Sequence, residues 1–275
     1  MPDVLISVPQ LADLVGDERV ALVDCRFVLG QPEAGRDAYL EAHIPGAAYA
    51  HLETTLSGPP ATDHGRHPLP APARLRAVFG ELGITAGVRV VAYDDSYGMV
   101  AARLWWMLRY MGHADVAVLD GGWQAWAAAG LAVQAGMQTP DLQVFNGEPQ
   151  THRLVQIDAV ETCAMLIDAR EPARFRGEVE PIDPVPGHIP GAHNLCWRDN
   201  LAADGCFHSA PTLRERFERV LGTLPDGAAT HYCGSGVSAC HNVLAQVAAG
   251  LPEPRLYCGS WSEWCRVMID TGPGR

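Results

Sequence analysis

The chain repeats itself, because four short segments of its first half return in the same order in its second half. The spacing between partners drifts by only a few residues, which loops can absorb. Ordered self-similarity of this kind indicates a duplicated domain. The four pairs are Leu22-Val-Asp-Cys-Arg26 with Leu166-Ile-Asp-Ala-Arg170, His43-Ile-Pro-Gly-Ala47 with His188-Ile-Pro-Gly-Ala192, Val90-Val-Ala-Tyr-Asp94 with Ala229-Thr-His-Tyr-Cys233, and Asp120-Gly-Gly-Trp-Gln-Ala-Trp126 with Cys258-Gly-Ser-Trp-Ser-Glu-Trp264.

Two domains also fit the length, since 275 residues exceed one typical core. A linker is expected within 132–155, where Gln, Thr, Pro, Asn and Gly replace the periodic apolar pattern. We therefore predict an N-terminal domain over 1–135 and a C-terminal domain over 154–275.

Within each half, short β-branched runs alternate with helical segments, which predicts parallel sheets flanked by helices. The fold class is therefore α/β, twice over. The predicted strands are Val20–Cys25, Val88–Tyr93, Val116–Leu119, Met165–Ala169, Ala229–Tyr232 and Arg255–Tyr257.

Composition excludes several classes of function. A net charge of -12 with no Lys/Arg stripe argues against nucleic-acid binding. No apolar run is long enough to span a bilayer, and the N-terminus lacks the pattern of a secretory signal, so we expect a cytoplasmic protein without a membrane partner. The eight cysteines form no disulfide framework and no zinc-ligand spacing, so no metal site is expected.

The strongest candidate site is Cys233, which follows a predicted strand and precedes a helix that begins near Val237. Open α/β sheets place their ligand sites at this end of a strand. Backbone N–H groups of the turn and of the helix start favour a thiolate there, which is the nucleophilic form of cysteine. The loop residues expected to surround the sulfur and its substrate are Gly234, Gly236, Val237 and Ser238.

Three other interpretations apply to the same segment. A cysteine phosphatase loop requires Arg six positions after the cysteine, but Ala239 stands there. The glycine pattern also matches the fingerprint of a dinucleotide-binding loop. That fingerprint requires an acidic residue at the end of the following strand, but Cys258 stands there. A buried structural cysteine is the third alternative.

Several motifs carry a family resemblance, namely Cys233-Gly-Ser-Gly-Val-Ser-Ala239, both His-Ile-Pro-Gly-Ala segments and the Gly-Ser-Trp-Ser-Glu-Trp264 end. Together they resemble the two-domain sulfurtransferases, rhodanese and 3-mercaptopyruvate sulfurtransferase. The resemblance covers nearly the whole chain. It implies two tandem rhodanese-like domains, of which only the C-terminal one carries the catalytic cysteine, and Asp94 indeed stands at the matching N-terminal position. It also implies that Cys233 takes sulfur from a small anionic donor as a persulfide and passes it on without a cofactor.

The resemblance implies further site residues. Arg174 matches the family's donor-binding arginine, with Arg176 as a neighbouring candidate. Ser235 matches a serine that handles protons together with a histidine and an acid, which fall on His67 and Glu53.

The donor and the acceptor remain open. Gly234 and Ser235 lack the basic side chains of thiosulfate-type members, which favours 3-mercaptopyruvate, whereas Asp183 stands where mercaptopyruvate-type members have a second arginine. The acceptor is expected to be a thiol, cyanide or a thioredoxin-like protein. A sulfur-relay module that serves a protein partner and a catalytically silent scaffold are the competing hypotheses.

Overall fold

A computed structural model describes residues 3–59, 64–222, 225 and 227–271, and they form two compact units. Described residues within 1–57, 70–150 and 204–206 belong to the first unit. Those within 58–69, 151–203 and 207–275 belong to the second. The short segment 58–69 therefore comes from the first half of the chain but packs within the second unit.

The first unit is a five-stranded parallel sheet with strand order β1-β5-β4-β2-β3. Its strands are β1 (Leu5–Ile6), β2 (Val20–Asp24), β3 (Ala48–Tyr49), β4 (Arg89–Tyr93) and β5 (Val116–Leu119). Its helices are α1 (Val8–Ala12), α2 (Ala34–Glu41), α3 (Pro72–Glu81), α4 (Met99–Tyr110) and α5 (Gly122–Ala128).

The second unit repeats this topology, with strand order β6-β10-β9-β7-β8 and every pair parallel. Its strands are β6 (Leu154–Val155), β7 (Met165–Asp168), β8 (His193–Asn194), β9 (Ala229–Tyr232) and β10 (Arg255–Tyr257). Its α-helices are α6 (Pro172–Phe175), α7 (Ala210–Leu221), α8 (Ser238–Ala248) and α9 (Ser260–Thr271), and 3₁₀ turns span Thr151–Arg153, Ile157–Thr162 and Trp197–Asn200.

The α/β fold and its duplication are confirmed by these two matching sheets. All six predicted strands are present, and their limits agree within one residue. They were recognisable because helices cover both faces of a parallel sheet, so its central strands are continuous apolar runs. The short edge strands escaped prediction because two residues carry no periodicity. No described helix is long and apolar enough to cross a membrane.

The four repeated segments meet at the carboxyl end of each sheet. In the second unit, Arg170 pairs with Asp168 at 2.6 Å and donates 2.7 Å to the carbonyl of Gly187, which precedes the second segment. The same guanidinium lies 5.1 Å from the centroid of the Trp261 ring. The N–H of Ile189 donates to the hydroxyl of Tyr232 at 3.1 Å, which links the second segment to the third.

The first unit repeats every one of these contacts. Arg26 pairs with Asp24, donates to the carbonyl of Ala42 and lies over the ring of Trp123, while the N–H of Ile44 donates to the hydroxyl of Tyr93. The sequence repeats are therefore the residues that satisfy one buried arginine and join the strand ends around it. An unpaired buried charge is costly, which explains why these residues recur together.

A buried histidine on β9 makes the stability of the second unit depend on pH. The Nε2 of His231 contacts the Oε1 of Gln246 at 2.9 Å, and burial lowers the pKa of His231 from 6.5 to about 4. Between these values the unfolded chain takes up a proton that the folded chain refuses, so stability falls as the pH drops from 6.5 toward 4. The loss should reach about 3 kcal/mol.

Thermal unfolding measured between pH 7 and 4 tests this prediction. His231→Gln should flatten the pH dependence of the melting temperature of the second unit. The matched variant His193→Gln, at an exposed position on β8, should leave it unchanged. Equal pH dependence in both variants would contradict the assignment.

Candidate active site

Cys233 lies directly after β9, the central strand of the second sheet. Its side chain is buried, with the residue 2% exposed. The N–H of Gly236 donates to its Sγ at 3.2 Å. The loop thus curls back so that a backbone dipole points at the sulfur, which favours negative charge there.

The residues that follow β10 fix the cysteine loop through hydrogen bonds. The hydroxyl of Ser260 accepts the N–H of Cys233 at 3.1 Å, and the N–H of Trp261 donates to the carbonyl of Cys233 at 2.9 Å. The N–H of Ser262 donates to the carbonyl of Gly234 at 2.9 Å. Three consecutive residues of the Gly-Ser-Trp-Ser-Glu-Trp segment therefore fix the backbone on both sides of the cysteine.

Gly236 is required by this packing. Its φ of +74° is in the left-handed region, and a Cβ there would lie 3.1 Å from the carbonyl carbon of Cys258 and closer still to the oxygen. A side chain would therefore overlap backbone atoms that cannot rotate away.

The matching loop of the first unit shows what this architecture holds. Asp94, at the end of β4, is fully buried, and its carboxylate accepts four backbone N–H groups within 2.7–2.8 Å. Tyr97 has a φ of +61° at the position that corresponds to Gly236. In the first unit the loop surrounds the chain's own carboxyl group with backbone N–H donors, which act against the increase in the pKa of Asp94 that burial causes. The four donors are the N–H groups of Ser96, Gly98, Val100 and Ala101.

A buried serine and histidine lie beside the cysteine. Ser235 is two residues after Cys233, and its Oγ lies 2.8 Å from the Nδ1 of His67. Both residues are buried, and His67 comes from the segment 58–69 that packs within this unit. The pair can move a proton between the imidazole and a group bound next to the sulfur.

Two arginines approach the backbone directly after the cysteine. A Cβ placed on Gly234 would lie 2.9 Å from Nη2 of Arg66 and 3.5 Å from Nη1 of Arg174. Arg66 belongs to the same segment as His67, and its backbone N–H donates to the hydroxyl of Ser262 at 3.0 Å. Ser262 thus joins this segment to the cysteine loop.

The two arginines end a series of alternating charges that begins in the core. Arg170, paired with Asp168, also contacts Glu180 at 3.4 Å. Glu180 accepts two hydrogen bonds from Arg174, from Nη2 at 2.6 Å and from Nε at 3.2 Å. Asp183 follows, with one oxygen 3.3 Å from Nη2 of Arg174 and the other paired with Nη1 of Arg66. The order of the series is Asp168, Arg170, Glu180, Arg174, Asp183, Arg66.

Burial and the neighbouring charges shift the pKa values of Asp183 and Glu180, the two acids nearest the loop, in opposite directions. Burial raises the pKa of Asp183, and the attraction of Arg66 offsets only part of that effect. Burial also tends to raise the pKa of Glu180, but the hydrogen bonds from Arg174 and from the N–H of Asp183 lower this pKa overall. Glu180 is therefore ionised at neutral pH and occupies the edge of Arg174 formed by Nε and Nη2.

The structure places the other predicted residues as follows. Val237 is buried immediately before α8, and Ser238 is the first residue of that helix. Arg176 is exposed and pairs with Glu178 at 2.6 Å. Glu53 is exposed in the first unit, where its N–H donates to Nδ1 of His51. The roles assigned to these residues stay predictions.

Sequence reasoning did not identify Arg66 or Ser262 as part of the site. Arg66 is adjacent to His67 in the sequence, which was the one available signal. In the part of the chain that the structure describes, no three His, Cys, Asp or Glu side chains are grouped as metal ligands.

Comparison with known proteins agrees with this geometry. The sequence profile of the rhodanese-like domain matches residues 7–129 and 154–267. A Pseudomonas aeruginosa protein named probable 3-mercaptopyruvate sulfurtransferase is 46% identical over 94% of this chain and 94% of its own length. A provisionally named thiosulfate sulfurtransferase of Mycobacterium tuberculosis is 40% identical over 95% of this chain and 93% of its own. The solved structure of 3-mercaptopyruvate sulfurtransferase from Leishmania major superposes with a TM-score of 0.88 at 32% identity, covering 98% of this chain and 76% of that one.

The packing around Gly236 leads to a prediction about stability. Gly236→Ala should destabilise the second unit by about 3 kcal/mol or more, because a strained φ adds to an overlap with backbone. Gly191→Ala is the matched control, since Gly191 has a φ of +78° but no atom within 4 Å of the Cβ position. It should cost only about 1 kcal/mol. Unfolding by urea measures both, and equal losses would show that the loop relaxes around the added methyl group.

Proposed function

Since this chain belongs to the rhodanese-like family and is a sulfurtransferase, we propose that Cys233 carries the transferred sulfur as a persulfide, with 3-mercaptopyruvate or thiosulfate as the donor. One observation carries the proposal: the sulfur of Cys233 lies at the end of the central strand and accepts a backbone N–H from its own loop. In the first unit, the same position holds a buried carboxylate.

The proposed reaction has two halves. The thiolate of Cys233 attacks the sulfane sulfur of the donor, and a new S–S bond forms as the bond from that sulfur to the rest of the donor breaks. The electron pair of the broken bond leaves with the enolate of pyruvate, or with sulfite when thiosulfate is the donor. In the second half, an acceptor attacks the outer sulfur and takes it, and the Cys233 thiolate is regenerated.

The loop amides and the arginines would stabilise the negative charge of the donor and of the persulfide. Thiosulfate and mercaptopyruvate are anions, and an acidic protein offers them no general attraction. Arg174 supplies directed N–H groups beside Cys233, and the loop amides stabilise the charge that stays on the outer sulfur of the persulfide. Because Glu180 occupies one edge of Arg174, the donor would bind the opposite edge.

The His67–Ser235 pair is suited to the mercaptopyruvate reaction. The enolate that leaves in that reaction must gain a proton at carbon, whereas sulfite can leave without one. A protonated imidazole that contacts Oγ of Ser235 at 2.8 Å can supply this proton through the hydroxyl. The pair therefore supports 3-mercaptopyruvate as the preferred donor. Thiosulfate would be the slower one.

We propose the sulfur acceptor from the reactivity of the persulfide alone. Any soft nucleophile that reaches the outer sulfur of the persulfide can take it, so thiols, cyanide and a cytoplasmic thioredoxin-like protein are the proposed acceptors. Steady-state turnover with a small donor and a small thiol distinguishes such an enzyme from a relay module, which would need its protein partner.

The first test concerns the nucleophile. After treatment with donor, intact-mass and peptide spectra should show one added sulfur on Cys233, and Cys233→Ser should abolish both the adduct and turnover. Cys206→Ser is the matched control, because burial, together with Asp120 and Asp204, raises the pKa of Cys206 to about 11 and keeps that thiol protonated. Sulfur found on another cysteine would refute the assignment.

A second test separates the two donors. Ser235→Ala and His67→Gln should each lower kcat/KM for 3-mercaptopyruvate by about 100-fold, because general acid catalysis is lost. The same variants should keep kcat/KM for thiosulfate within about threefold, since sulfite leaves unprotonated. The thiosulfate reaction is thus the internal control. Equal losses with both donors would contradict a proton-transfer role for the pair.

A further inference from the structure

We infer that Ser260 is a positioning residue for sulfur transfer, because its hydroxyl holds the backbone N–H of Cys233 and thereby aims the cysteine side chain into its own loop. The inference deepens the sulfurtransferase function proposed above and rests on it. It concerns a residue that acts on the sulfur through the backbone rather than by contact with the donor.

The backbone conformation of Ser260 is the first argument. Its φ of +57° lies in the left-handed region, where any residue with a Cβ is strained. Among the described residues, Tyr97 and Ser260 are the two that adopt a positive φ without being glycine. Backbone strain persists only where the surrounding structure enforces it, and strained residues cluster at functional sites.

The first unit shows that the fold itself does not require a side chain at this position. Gly122 aligns with Ser260, has the same φ of +57° and likewise begins a helix after a strand. In both units the N–H of the following tryptophan donates to the carbonyl of the residue at the end of the central strand, at 2.8 Å in the first and 2.9 Å in the second. A Cβ on Gly122 would lie 3.4 Å from the carbonyl carbon of Asp94 and closer still to the oxygen. The serine of the second unit must therefore be explained by what its side chain does.

The hydroxyl of Ser260 both donates and accepts. Ser260 is completely buried, its Oγ donates to the carbonyl of Tyr257 at 3.0 Å, and the same atom accepts the N–H of Cys233 at 3.1 Å. Because the hydroxyl proton is directed at Tyr257, the lone pairs of the oxygen are left for the N–H of Cys233. The serine thereby ties the residue that follows β9 to the end of β10.

A cysteine needs such an anchor more than the carboxyl group that stands in its place in the first unit. The two oxygens of Asp94 accept four backbone N–H groups, which hold that side chain directly. The sulfur of Cys233 accepts the N–H of Gly236 at 3.2 Å, but sulfur is a weak acceptor and must stay free to form and break a bond. Its direction is therefore set through the backbone, where Ser260 holds the N–H and Trp261 holds the carbonyl.

A positioning role predicts a specific kinetic signature when the two half-reactions are measured separately. A sulfur that points in the wrong direction slows its attack on the donor, and it also slows the transfer that regenerates the thiolate. Loss of the Ser260 hydroxyl should therefore lower the rate constants of both half-reactions by about 10-fold. The KM for the donor should stay within about twofold, because the serine makes no contact with the donor.

Two variants separate the hydroxyl from the backbone strain. Ser260→Gly and Ser260→Ala both lack the hydroxyl, so their kinetic losses should be equal. Their stabilities should differ, because a left-handed residue favours glycine over alanine. The melting temperature of Ser260→Gly should therefore lie about 3 °C or more above that of Ser260→Ala.

Alkylation of Cys233 gives an independent readout that needs no sulfur donor. The rate constant for iodoacetamide at neutral pH, with the modified residue located by peptide mass spectrometry, should fall by about fivefold or more in both variants. The reason is that the sulfur no longer faces the backbone N–H that favours the thiolate. Ser209→Gly is the matched control, since Ser209 is an exposed serine of the same unit with an ordinary φ of -56°. It should change neither the alkylation rate nor turnover.

The outcomes separate this inference from the proposed function. A wild-type protein that forms no persulfide with either donor would refute the function itself, and the alkylation rates would still test Ser260. A wild-type protein that forms it, with both half-reactions and the alkylation rate of Ser260→Gly within about twofold of normal, would overturn only the role of Ser260. Kinetic losses that follow the melting temperatures, and are thus larger in Ser260→Ala than in Ser260→Gly, would show that the serine merely supports the fold.

Discussion

A buried arginine organises the end of the sheet at which each unit places its loop. Arg170 and Arg26 are almost completely removed from water, so every N–H of their guanidiniums must find an acceptor within the protein. The carboxylate, the carbonyl and the aromatic ring that meet this demand come from separate segments of the chain. Satisfying one cation therefore fixes the strand ends, and the strand ends fix the loop that follows the central strand.

The two loops show how one architecture can serve a structural and a chemical purpose. Asp94 fills the first loop with a carboxyl group whose oxygens accept four backbone N–H groups, and burial raises its pKa. Cys233 stands at the same position in the second loop, where we propose that its sulfur gains and loses a second sulfur atom. In both loops, backbone N–H groups point at the side chain that follows the central strand, and the loop itself has no positively charged side chain. We propose that a strongly acidic protein accommodates an anionic donor in this way.

The second unit includes the segment 58–69, which comes from the first half of the chain. It brings Arg66 and His67 to the cysteine loop, and Ser262 anchors it there through the N–H of Arg66. An imidazole and a second guanidinium are therefore brought to the loop by adjacent residues. The series of charges from Asp168 outward couples the core to these residues, because each interior acid is shared by two arginines and each interior arginine by two acids.

The sequence by itself determined the duplication, the α/β fold, the six central strands and the position of Cys233 at a strand end. These features are local, since they depend on apolar periodicity, glycine placement and repeated motifs that can be read along the chain. Only the tertiary structure decided that Arg66 reaches the cysteine loop and that Glu180 occupies one edge of Arg174. Those contacts depend on which loops pack together and on how buried charges pair, and no periodic pattern encodes a pairing between residues such as Arg66 and Asp183, which lie far apart in the chain.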